Sequence, residues 1–250
     1  MPDSLPFPIP VRLPRKITPC PILEAIMEIR FVPKRPWEHF PGLFADKFGH
    51  KYPIEEDIGM AKLPQIVREQ DPRLIHVPYR RYIGDQFTLQ VGPRVVGLIT
   101  KNGMYPGWDV FWPAMEEIIK GVHELGIMRE ASRLGLRYIN FFPFNIFDQL
   151  TLGLSVNGTA LKNPETGLNT VFVHEGFRHF VQINNASMIG DTGNKTRFGS
   201  ILDIDTAPIK AITDINLEAE SLFRSAHVAE KKVFFGLLKS GYLATLETEY

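Results

Sequence analysis

The chain has 250 residues, 44% of them hydrophobic, enough to bury a sizeable core in one large domain or two small, closely packed ones. Its 28 basic and 28 acidic side chains cancel, which argues against a global field drawing it onto nucleic acid or an anionic membrane. The longest apolar runs, such as the six residues INFFPF, fall far short of the roughly 20 needed to cross a bilayer, and the single cysteine excludes an internal disulfide.

Seven of the first 21 residues are proline, which fixes φ and removes backbone donors, so residues 1–21 read as an extended arm, made basic by Arg12, Arg15 and Lys16. Such an arm is either a loose, surface-draped tail or a reach toward a partner, a second copy of the chain among them. The segment lacks the charged, apolar and small-residue regions of a secretory signal. With one cysteine, Cys20, between two prolines and far from any group that would activate it, the expectation is a cytoplasmic protein with an unreactive thiol.

Residues 22–250 read as a single soluble α+β domain. Ile22 to Phe31 alternate as a strand, with Met27, Ile29 and Phe31 on one face and Ile26, Glu28 and Arg30 on the other. Trp37, Phe40, Phe44 and Phe48 follow at helical spacing, a core stripe rather than a cofactor box. From Pro64 come four β-like runs, QIVRE, RLIHVPYRRYI, QFTLQVG and RVVGLIT, the later ones joined by the tight-turn pairs GD and GP. Val110, Phe111, Met115, Ile118, Ile119 and Val122 then build an amphipathic helix. The strand RLGLRYINFF, residues 133–142, carries Arg133 and Arg137 on one face. In the second half, NTVFVHEGFRHFVQINN predicts a hairpin with a two-residue turn at Glu175 and Gly176, and ILDIDTA a further strand. A long helix spans about Asn216 to Leu238, its apolar stripe running from Leu217 through Leu222, Phe223, Ala226, Ala229, Val233 and Phe234 to Leu237, with Gly241 as its C′ residue.

The halves, about 22–131 and 132–240, resemble each other. EIRFVP (28–33) matches YINFFP (138–143), and YRRYIGDQFTLQV matches FVHEGFRHFVQI, with Leu89, Gln90 and Val91 against Val181, Gln182 and Ile183. A degenerate duplication of this kind predicts one long, curved, mostly antiparallel sheet with two long helices on one face.

The motifs PILEAIMEIRF, LQVGPRVVGL with YPGWDVF, RLGLRYINFF and a late LDID strand are similar, in that order and over nearly the whole chain from Pro21, to an uncharacterised family of prokaryotic proteins of about this length, distributed sporadically. That resemblance implies no activity, cofactor or catalytic residue. The sporadic distribution implies an accessory role rather than housekeeping metabolism.

Charges inside strands are the features that bear on function. Glu28 and Arg30 share one strand face, Arg133 and Arg137 a second, Asp203 and Asp205 a third. They are either a ladder of cross-strand salt bridges, each worth a few tenths to about 1 kcal/mol, or a groove where an arginine holds an anion and a carboxylate orients it. A pair of aspartates two apart also fits Mg²⁺, but no third carboxylate is fixed by spacing. HEGFRH fails as a zinc motif because His174 and His179 are five apart across a turn. They read as exposed hairpin histidines, and no metal is expected. IGDTGNKTRFGS, with Lys195 and Arg197, has weak phosphate-loop character but leads into a strand, so no helix N-terminus faces a phosphate. Arg80, Arg81, Tyr79 and Tyr82 with the basic arm form the best nucleic-acid candidate, against a balanced net charge.

The sequence therefore predicts a binding or interaction module, with an anionic small ligand or a protein partner meeting the charged sheet face. The alternatives are an enzyme acting on an anionic or phosphorylated small molecule in the same cleft, and a nucleic-acid-associated accessory protein. No catalytic residue or cofactor is assigned.

Overall fold

In the computed structural model, residues 5–160, 165–190 and 196–250 are described. After β1 (Lys16–Thr18) comes β2 (Ile22–Pro33), then α1 (Phe40–Phe48), β3 (Ile54–Asp57), α2 (Gln65–Gln70), β4 (Arg80–Ile83), β5 (Phe87–Gly92), β6 (Val95–Thr100) and α3 (Trp108–Glu124). The chain continues with β7 (Met128–Phe142), the short β8 (Ser155–Val156) and β9 (Thr159–Ala160), and β10 (Gly167–His174). It ends with β11 (Phe177–Gly190), β12 (Thr196–Pro208), α4 (Ile215–Leu237), α5 (Ser240–Leu243) and β13 (Glu247–Glu249).

The architecture is α+β, as expected: a nine-stranded antiparallel sheet in the order β10-β11-β12-β7-β2-β6-β5-β4-β3, with α3 and α4 packed against it. No helix among the described residues is long and apolar enough to cross a membrane.

Two compact units can be distinguished. The first comprises Met1–Leu23, Arg137–Ile209 and Ser225–Tyr250, and the second Glu24–Leu136 and Lys210–Arg224. In the second unit β2 alternates as predicted, with Met27, Ile29 and Phe31 buried to 1% exposure or less. Phe40, Phe44 and Phe48 of α1 are equally buried, and Phe31 stacks on Phe40 at 6.2 Å between centroids. Each such fully buried ring contributes about 1.5–3 kcal/mol. Val110 is the exception to the predicted α3 stripe, being solvent-exposed. QIVRE is also not a strand but helix α2, started after Pro64 and stopped before Pro72. Ile66 and Val67 are exposed, so their apolar character reports no buried face. The strand β3 was not anticipated.

In the first unit, Val181 and Ile183 of β11 and Leu202 and Ile204 of β12 face Val233, Phe234 and Leu237 of α4. The hairpin β10–β11 turns at Glu175 and Gly176, both with positive φ (49° and 78°), the backbone that a two-residue turn demands and glycine permits. From Leu5 onward the arm is not a loose tail. β1 pairs with β13, Phe7 meets the Phe172 ring edge-on at 5.3 Å, and Leu5 and Leu13 pack on the core. Helix α4 stops at Leu237, and Gly241 lies inside α5 rather than at a C′ position, because Leu238 bridges to Leu150 and redirects the chain. Leu217, predicted in the apolar stripe, is 80% exposed.

The matched motifs EIRFVP and YINFFP fall out of phase. Ile29 lies on the buried face of β2, whereas on β7 the residue facing the helix is Tyr138, which bonds His227 of α4. Glu28 and Tyr138 are thus not equivalent in facing, since a one-residue slip exchanges the two faces of a strand.

Candidate functional site

The face of β2 turned away from α1 carries Glu28 and Arg30. Arg30 Nε donates to Glu28 Oε1 at 2.7 Å, and Arg133 Nη1 of β7 donates to the same oxygen at 2.6 Å. The three side chains are a quarter to a third exposed, so solvent screens their attraction. Gly135 explains part of the RLGLR spacing: the Arg133 guanidinium lies over it, and a Cβ at that position would collide with the guanidinium nitrogens. His76, in the segment before β4, feels the charges of Arg30 and Glu28. Burial chiefly pushes its pKa down, and a hydrogen bond to the Arg94 carbonyl opposes that shift.

In the first unit Arg137 grips Asp203 with two bonds, Nε to Oδ1 at 2.8 Å and Nη2 to Oδ2 at 2.5 Å. The Asp203 side chain is 8% exposed and that of Arg137 42%, so the carboxylate is the buried partner of the pair. Asp205 shares this face and lies opposite Phe180 of β11, while Gln182 lies opposite Asp203. Phe180 is 41% exposed and its strand neighbour two residues away, Arg178, is exposed. The predicted charges are therefore brought together in two sets, Glu28–Arg30–Arg133 and Arg137–Asp203.

On the helix side the polar groups differ in kind. Tyr138 Oη lies 3.1 Å from His227 Nδ1, Asn140 Nδ2 donates to the Leu202 carbonyl at 3.1 Å, and His179 Nδ1 lies 2.9 Å from Thr206 Oγ1. Burial pushes His227 down to about 3 and His179 to about 4, the His174 charge adding to the latter. Burial also pushes the Glu230 carboxyl up to about 8. The expectation of exposed hairpin histidines is corrected here. His179 has no exposure and the His174 side chain only 12%, because Phe172, His174, Phe177 and His179 all fall on the core side of their strands. His227 and Glu230 were missed by the sequence reading, although they sit at helical spacing within the stripe of Phe223, Ala226, Val233 and Leu237.

Among the described residues no group of three or more His, Cys, Asp or Glu side chains is placed to hold a metal ion. Lys195 lies outside the described residues. Arg197 sits over the Phe141 ring at 5.2 Å. The nucleic-acid candidate loses its stacking platform, since Tyr79 and Tyr82 are buried to 6% and 0% exposure. Arg80 bonds Asp57 at 2.9 Å and Arg81 bonds Glu56 at 2.7 Å. Cys20 is exposed. No protein-family model and no curated protein matches the chain.

Proposed function

We propose that the chain is a binding module whose helix-free sheet face in the first unit receives a protein partner. The observation that carries this reading is Phe180, an exposed ring on an interior strand, set among Arg178, Gln182, Asp205 and the Arg137–Asp203 pair. Water contact on such a ring is unfavourable, whereas exposed aromatics and arginines together are the residues enriched where protein partners dock. The bidentate pair holds Arg137 in one orientation, so a partner meets a surface already ordered and little side-chain entropy is lost on binding. A cytoplasmic setting belongs to the proposal and is supported by the lone cysteine.

The same proposal includes an origin by duplication. It is supported by strand order, because each leading strand is followed outward by three strands in reverse chain order, β2, β6, β5, β4 and β7, β12, β11, β10, with β3 added at the outer edge beyond β4.

Site-specific photo-crosslinking tests the docking reading. A benzophenone amino acid in place of Phe180 is expected to give a discrete adduct in cells, and the same group in place of Val228, exposed on α4, none. An adduct of twice the chain's mass identifies a second copy as the partner. No adduct at 180, or equal labelling at both positions, overturns the proposal.

A further inference from the structure

The arm and the C-terminal segment together form a cleft of about 840 Å³ within the first unit, inside the range of about 300–1,000 Å³ typical of small-molecule sites. Its construction is firm at each wall. β1 pairs with β13, and the Arg15 N–H donates to the Glu249 carbonyl at 2.6 Å, which fixes the arm against the end of the chain. The Thr151 N–H donates to the Leu237 carbonyl and the Lys239 N–H to the Gln149 carbonyl, each at 2.8 Å, which fixes the floor.

The lining combines apolar walls, Phe235, Leu238 and Leu246, with the rings of Tyr242 and Tyr250. Two cations reach it. Lys239 Nζ rests on the Asp148 backbone carbonyl at 2.7 Å, and the Arg12 guanidinium lies over the Tyr250 ring at 4.6 Å. The partner is a neutral group in each case, and among the described residues no acidic side chain lines the cleft. A carbonyl and a ring orient a cation without cancelling its charge, so Arg12 and Lys239 are left to meet an anion beside an apolar wall.

We infer that this cleft binds a small molecule with an apolar or aromatic body and one anionic group. The body lies against Phe235, Leu238 and Leu246 and the anion between Arg12 and Lys239. This site is separate from the sheet face and stands or falls independently of it.

Two fluorescent probes of nearly the same shape test the assignment on the full chain: anilinonaphthalene sulfonate, which carries the anion, and N-phenylnaphthylamine, which does not. The sulfonate is expected to bind saturably and more tightly than the neutral probe. Arg12→Met and Lys239→Met should each weaken it by about tenfold, as befits a lost charged hydrogen bond, and change the neutral probe by less than about threefold. Lys239→Met also removes a bond to Asp148, so a third variant guards against misfolding. A Cβ at Gly241, in the lining, meets nothing within 4 Å, and Gly241→Trp should fill the cleft and block both probes while the unfolding midpoint stays near that of the parent. Equal affinity of the two probes for the parent chain, sulfonate binding unchanged in both charge variants, or unchanged binding in Gly241→Trp overturns the inference.

Discussion

Arg137 and Tyr138 are neighbours on one strand, yet they face environments that treat polarity in opposite ways. On the helix-free side, Arg137 stays charged and is matched by Asp203. On the helix side, Tyr138 meets His227, and His227, His179 and Glu230 are polar groups that burial drives toward their neutral forms. Water access decides between these outcomes. A charge that keeps partial contact with solvent is retained if a partner holds it, whereas full burial costs so much that the group shifts its pKa and gives the charge up. The consequence is that the open face presents oriented charge to solvent, while the covered face couples stability to pH.

The largest expected effect breaks the covered side of this comparison. Glu230 ordinarily titrates near 4.5 and is pushed up to about 8. Between those values the folded chain keeps a proton that the unfolded chain has lost, so stability falls as pH rises through the window. Glu230→Gln removes that decline and stabilises the chain at pH 8 by roughly 2–4 kcal/mol in urea unfolding. His179 and His227 act in the opposite sense. Their folded pKa values lie below the ordinary 6.5, so the unfolded chain takes up protons first and stability falls as pH drops from about 6.5 toward 4. The Gln variant should therefore show the acid limb alone; parallel curves for parent and variant would refute the assignment.

A smaller effect sharpens the open side. Gly135→Ala displaces the Arg133 guanidinium from its seat and loses its bond to Glu28, at a cost of about 1 kcal/mol for a partly exposed pair. In an Arg133→Met background the alanine should cost much less, because the guanidinium it displaces is already gone. An equal penalty in both backgrounds, read from the same urea titrations, would place the strain in the backbone instead.

Much of this frame was legible in the sequence because the relevant signals are local. Alternation over Ile22–Phe31, the ring at every fourth residue from Phe40 to Phe48, and Glu175–Gly176 between two apolar runs each report a single element. The misread segment QIVRE failed for a related reason: two adjacent apolar residues mimic a strand, but Ile66 and Val67 face solvent from a short helix bounded by prolines. That charges inside strands must be solvated or paired was also readable. Which ones pair was not, since Arg137 and Asp203 are 66 residues apart and their meeting depends on strand order and register. The facing of Tyr138 was hidden similarly, for a motif match does not record which side of a strand the helix covers. The cleft was invisible for the same cause, being built from the two ends of the chain.

The claim that charge on the open face is kept because it is held is tested most directly by a double-mutant cycle in equilibrium unfolding, using Arg137→Met, Asp203→Asn and the two together. A coupling of about 1–3 kcal/mol is predicted, between the value for exposed pairs and that for fully buried ones. A coupling indistinguishable from zero would contradict the account.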